Sequence, residues 1–133
     1  MSIRRFGVSL KNDVLKQLDE LVNIERFPNR SQAIGFLVRK HMVDKKWNSN
    51  SIVAGTIVLV YDHHKRELQK QLTAIQHDFH HYILAAQHVH LDHNNCLETI
   101  AIKGPSNKLK QLADMLKGVK GIKHGDVVMS AIE

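Results

Sequence analysis

The 133-residue chain holds a single cysteine, two prolines and few aromatic residues, with one Trp, two Tyr and four Phe. One cysteine excludes an intrachain disulfide framework and makes a reducing, cytoplasmic setting the expectation. No apolar run approaches the roughly 20 residues that span a bilayer, so no membrane partner is expected. Met1–Leu10 also lacks the apolar stretch of a secretory signal. Disorder is excluded by a hydrophobic content of 43%. What the chain has in excess is positive charge, 19 Lys+Arg against 13 Asp+Glu for a net +6, and ten histidines.

The two excesses are segregated. Residues 1–47 carry ten Lys/Arg against five acids, whereas nine of the ten histidines and the cysteine lie in residues 48–133. A short basic piece points to a polyanion, and a histidine-rich piece with one thiol points to a metal. We therefore expect two domains, 1–47 and 48–133. Each is small enough to want a partner, since units below roughly 60 residues bury too little surface to be comfortable alone.

The expected class is α+β. Ile3–Leu10 alternates, with Phe6, Val8 and Leu10 on one face and Arg5, Gly7 and Ser9 on the other, the pattern of a half-buried strand. Val14, Leu15, Leu18, Leu21 and Val22 then form a helical stripe. Phe27-Pro28-Asn29-Arg30 breaks it, and a second helix follows, with Asn29 and Gln32 spaced as a capping box and Ser31 as the alternative cap. Asp44–Ser51 reads as a polar linker. Beyond it the periods predict a strand over Ile52–Tyr61, a helix over Lys65–His81, and strands over Tyr82–His90 and Cys96–Lys103. A helix opening near Pro105 and a last strand over Asp126–Ile132 complete them. The order β-α-β-β-α-β is that of a ferredoxin-like fold, whose free sheet face a second copy of the chain would cover.

The strongest chemical constellation is His88-Val89-His90 followed by Cys96. Residues two apart on a strand share a face, and the short turn brings the thiol of the next strand beside both imidazoles. Two nitrogens and a thiolate suit Ni, Cu, Zn or Co better than Mg or Ca. His77, His80 and His81 lie just upstream, and any of them could add a fourth donor from the same chain or from another. Glu98, on the strand face of Cys96, is placed to hydrogen-bond a ligating imidazole, and His63, His64 and His93 fall near turns. In the basic piece, two N-terminal strands paired across a dimer axis would form a ribbon that the DNA major groove admits, with Arg5, Gly7 and Ser9 outward. The second helix would aim backbone N–H groups near Asn29, Arg30 and Ser31 at a phosphate.

With these residues in view, the chain resembles the nickel-responsive transcriptional regulators over nearly its full length. The likeness rests on Arg5–Leu10, on Asn29–Ile34, on Gln76-His77, His88-Val89-His90 and Asn95-Cys96-Leu97-Glu98, and on Lys123-His124-Gly125. It implies an N-terminal ribbon-helix-helix (βαα) unit and an ACT-type βαββαβ unit, assembled as a tetramer made of two dimers that binds palindromic half-sites in double-stranded DNA. It also implies one square-planar Ni(II) per chain, held by His88, His90 and Cys96 with His77 of a neighbouring chain. Gln76 and Glu98 would support those ligands by hydrogen bonds, and Lys65 and Arg66 would touch the DNA backbone. The implied function is repression of nickel uptake when nickel is bound, with no enzymatic activity. The chain departs from the pattern at Gly7 on the reading face, and at Gln32 and Phe36, where the family carries acids of an interdomain cation site. Two other readings stand beside this one: a ribbon-helix-helix regulator that answers to Cu or Co or to a small organic ligand, and a catalytic metal site. Against the latter, Glu98 is the only acid on that strand face and four ligands leave no open position.

Overall fold

A computed structural model describes residues 2–132 as two compact units that divide between His41 and Met42. In the first, helix α1 spans Asn12–Ile24 and helix α2 begins at Arg30. Asn29 caps α2, its Oδ1 accepting the Gln32 amide at 2.9 Å. The turn between the helices closes with Arg26 at φ 58, a left-handed residue where glycine is usual. The Phe27 amide reaches back to Val22 at 3.0 Å and the Arg26 amide to Asn23 at 3.3 Å. Arg30 bridges to α1 through Asp19 in a two-pronged pair of 2.8 and 3.0 Å, and its hydrogen bond holds the Asp19 carboxyl below the usual range.

No strand forms over Ile3–Leu10, contrary to the alternation of that segment. Strand character needs a second backbone to bond to, and this unit consists of the segment and two helices. Its apolar side chains instead remain open: Ile3, Phe6 and Val8 are 92%, 78% and 59% exposed. Phe6, Val8 and Leu10 line a groove with Val14, Leu18 and Ile34.

Helix α2 continues to Asn48, through most of the segment read as a linker. The reason is Trp47, which is 1% exposed and donates its indole N–H to the Ser130 carbonyl at 2.9 Å. Its ring packs over Gly55, where an added Cβ would meet the Val128 carbonyl oxygen at 2.5 Å and the indole at 3.1 Å. Gly55→Ala is therefore expected to lower stability by about 1–3 kcal/mol in chemical denaturation. The small gain of roughly 0.5–1 kcal/mol that replacing a strand glycine by alanine otherwise brings would contradict this packing.

The second unit carries β1 (Ile52–Asp62), α3 (Arg66–Asp78), β2 (Ile83–His90), β3 (Asn95–Pro105), α4 (Ser106–Lys117) and β4 (His124–Ser130). This is the β-α-β-β-α-β order read from the sequence. All neighbours in the sheet β2-β3-β1-β4 are antiparallel. Val53, Ile57, Leu59 and Tyr61 of β1 and Ile100 and Ile102 of β3 bury one face against Leu68 and Leu72 of α3 and Leu109, Leu112 and Leu116 of α4. The other face, with Val58, Leu97, Val89 and Val128, is partly open, Val89 being 43% and Val128 62% exposed.

Helix α3 ends three residues before the expected His81. The half-buried Phe79 and Tyr82 turn inward, and a single 3-10 turn, His80–Tyr82, delivers the chain to β2. His77 and His81 are thus not helical neighbours.

Candidate metal centre

Strand register builds the site. On the edge strand β2, His88 stands opposite Glu98 and His90 opposite Cys96, while on the other side of β3 Cys96 stands opposite Tyr61 of β1. Paired residues share a face, so His88, His90, Cys96 and Glu98 all project to the helix-covered side. Burial differs sharply across the pair of strands. Cys96 and Glu98 are each 1% exposed, whereas the His88 side chain is 58% exposed at the sheet edge.

Cys96 Sγ lies 3.7 Å from His88 Nδ1. The opposite ring nitrogen, Nε2, lies 3.4 Å from Glu98 Oε2. Glu98 is buried but not orphaned: Tyr61 donates its hydroxyl to Oε1 at 2.6 Å and Gln76 its amide N–H to Oε2 at 2.9 Å. Burial first, and then the bond to Glu98, push the Tyr61 phenol well above its ordinary range, so it remains a donor. Tyr61 Oη also sits 3.3 Å from His88 Nδ1.

The remaining histidines are arranged around this centre. His90 stacks flat on His63, with ring centroids 4.3 Å apart and planes 5° apart. His63 in turn touches His64 at 4.1 Å, and His64 approaches His93 at 5.6 Å. His77, on the last turn of α3, lines a cleft with Thr73, Gln76, His88 and Glu98. Among the described residues no three His, Cys, Asp or Glu side chains of one chain are gathered tightly enough to hold a metal. The structure thus brings His88, Cys96 and Glu98 together, sets His90 on the right face with its ring turned outward, and leaves His77 across the cleft.

Sequence reasoning missed Tyr61. It closes the alternation of Val53, Ile57 and Leu59 on the buried face of β1, and a hydroxyl at the end of such a run has to find a buried partner. Of the basic-piece residues, Arg5, Gly7, Ser9 and Ser31 are exposed, as are Lys65 and Arg66 at the start of α3.

The second unit is an α+β unit of ACT type that carries thiol and imidazole side chains on one sheet face. Residues 54–130 match the model of the NikR C-terminal nickel-binding domain. A putative nickel-responsive regulator of Desulfovibrio desulfuricans is 51% identical over 93% of this chain and 90% of its own. One from Syntrophus aciditrophicus is 45% identical over 98% of this chain and 95% of its own. The chain belongs to the family of nickel-responsive regulators, which are regulatory proteins and not enzymes. An uncharacterized protein from Thermotoga maritima shares the fold, at a TM-score of 0.54 and 15% identity over 59% of this chain and 98% of that one. No described helix is long and apolar enough to cross a membrane.

Proposed function

We propose that the protein is a cytoplasmic, nickel-dependent DNA-binding repressor of nickel-uptake genes, working as a homotetramer made of two dimers. In this reading residues 1–47 form the ribbon-helix-helix unit and 48–133 the nickel-binding and tetramerising unit. The observation that carries it is the β2/β3 register, which sets His88 and His90 on one face with Cys96, its sulfur 3.7 Å from His88 Nδ1. The donor set fits a borderline divalent ion such as nickel. Glu98 Oε2 faces His88 Nε2 at 3.4 Å and orients the ring with Nδ1 beside the sulfur. His90 joins by turning off His63, and His77 of a neighbouring chain completes the set, one ion per chain. Bound nickel supplies a bond between two chains that neither can make alone.

The open groove of the N-terminal unit is read as the seat of a second copy. Burying Phe6 and Val8 stabilises by about 1.5–3 kcal/mol per side chain. Pairing the two Ile3–Leu10 segments supplies the missing strand partner and turns Arg5, Gly7 and Ser9 outward, toward base edges of double-stranded DNA with palindromic half-sites. Arg30 is held by Asp19, so phosphate contact at the start of α2 falls to Ser31 and the first-turn amides beside the Asn29 cap. Lys65 and Arg66, at the opposite end of α3 from His77, add backbone contacts.

The test is a gel shift on operator DNA. Nickel is expected to raise affinity at least about tenfold, which takes about 1.4 kcal/mol of coupling, and a chelator to reverse it. Equal affinity with and without nickel would refute the proposal.

A further inference from the structure

The N-terminal unit departs from its family at two positions on one helix face. Gln32, Phe36 and Lys40 follow one another at intervals of four on α2, so they share a side of the helix. The resemblance implies acids at the first two, holding a hard cation through carboxylate oxygens. Here the first is an exposed neutral amide, which offers one carbonyl oxygen, and the second a phenyl ring, which offers none. The third is a lysine. Residues 28–43 contain Arg30, Arg39 and Lys40 and no Asp or Glu. Asp19 reaches the start of α2 from α1, but the Arg30 guanidinium takes both its oxygens, at 2.8 and 3.0 Å. A hard cation needs several oxygen donors and negative charge to offset its dehydration, and this face supplies positive charge instead. The residues do not fit the ion.

Phe36 has another partner. Its ring centroid lies 5.3 Å from that of Phe27, with the planes tilted by 49°, a favourable aromatic geometry. Phe27 follows the left-handed Arg26, and its amide reaches back to Val22 at 3.0 Å, so the ring pair clamps α2 onto the turn that ends α1. We infer that the Phe27–Phe36 pair stands in place of the cation, and that operator binding answers to ionic strength but not to which cation supplies it. The operator half of the inference rests on the proposed DNA-binding function. An apolar contact has no ion requirement, and the salt dependence that remains is release of counterions from the DNA, which follows their concentration.

The experiment uses the full chain throughout. Nickel-loaded protein is titrated onto operator DNA, followed by fluorescence anisotropy, in potassium, sodium and choline chloride of equal ionic strength. The three dissociation constants should agree within about twofold. Binding at least about tenfold tighter in potassium or sodium than in choline would overturn the inference. Nickel-free protein is also heated in choline chloride, with and without potassium, magnesium or calcium at constant ionic strength. The midpoint should move by less than about 1 °C, and a rise of at least about 3 °C with any one ion would overturn the inference as well. Phe36→Ala should speed hydrogen exchange of the Phe27 amide at least about fivefold, whereas Phe36→Tyr, which keeps a ring, should leave it unchanged. Equal exchange in the wild type and Phe36→Ala would remove the ring pair as the clamp. Absence of operator binding in all three salts would overturn the proposed function and the operator half with it, while heating and exchange still decide whether rings or an ion hold this face.

Discussion

Cys96→Ser is expected to abolish high-affinity nickel binding and the nickel-dependent gel shift while leaving the sheet folded. The sulfur is the softest donor in the set and is already buried beside His88, 1% exposed and 3.7 Å from Nδ1. Serine keeps the shape within one atom, but its hydroxyl does not deprotonate near neutral pH and does not supply the thiolate that selects a borderline metal. Loss of affinity by at least about 100-fold is the expected scale, larger than the 10- to 100-fold typical of losing a residue that merely orients a ligand. Calorimetric titration with nickel reads it directly, and circular dichroism checks that the fold remains. A Cys96→Ser protein that still binds nickel as tightly as the wild type would remove the thiol from the site.

Val8→Asp should produce the opposite split, with DNA binding lost and nickel binding kept. Val8 is 59% exposed in the single chain and lines the apolar groove with Phe6 and Leu10. In a ribbon-helix-helix dimer it would be buried, and a carboxylate there is expected to cost at least about 3 kcal/mol per chain, counted twice in a symmetric pair. An N-terminal unit of about 40 residues has no reserve to absorb that loss. The nickel absorption band expected from the proposed site on β2 and β3 should be unchanged. Wild-type operator affinity in this variant would show that the groove faces solvent in the working protein.

The C-terminal fold was legible because each of its elements is buried on one side. Val53, Ile57, Leu59 and Tyr61 alternate on β1, Leu109, Leu112 and Leu116 recur at helical spacing on α4, and these periods alone give the β-α-β-β-α-β order. Errors arose where tertiary packing overrode local composition. Asp44–Ser51 is polar enough to read as a linker, yet one side chain, Trp47, buried over Gly55, keeps α2 helical to Asn48. The helical period after Lys65 runs on past Asp78, but Phe79 and Tyr82 turn inward and end the helix. Ile3–Leu10 has the pattern of a strand without a partner in its own unit, so a single chain does not form it.

The candidate centre divides in the same way. His88, His90 and Cys96 could be picked out because a two-residue repeat and a hairpin fix their faces whatever the details. The network behind them could not, since Tyr61, Gln76 and Glu98 meet only after β1, α3 and β3 have packed. His77 marks the limit of what one chain displays.

Sharing is the central claim, and mixed assemblies test it most directly. His77→Ala chains retain His88, His90 and Cys96, and Cys96→Ser chains retain His77, so neither assembly alone should show the thiolate-to-nickel absorption band. When the two chains are unfolded together and reassembled, sites that pair the three-ligand set of one chain with His77 of the other are complete, and the band should return. No band in the mixture, or a full band in His77→Ala alone, would contradict a nickel centre shared between chains.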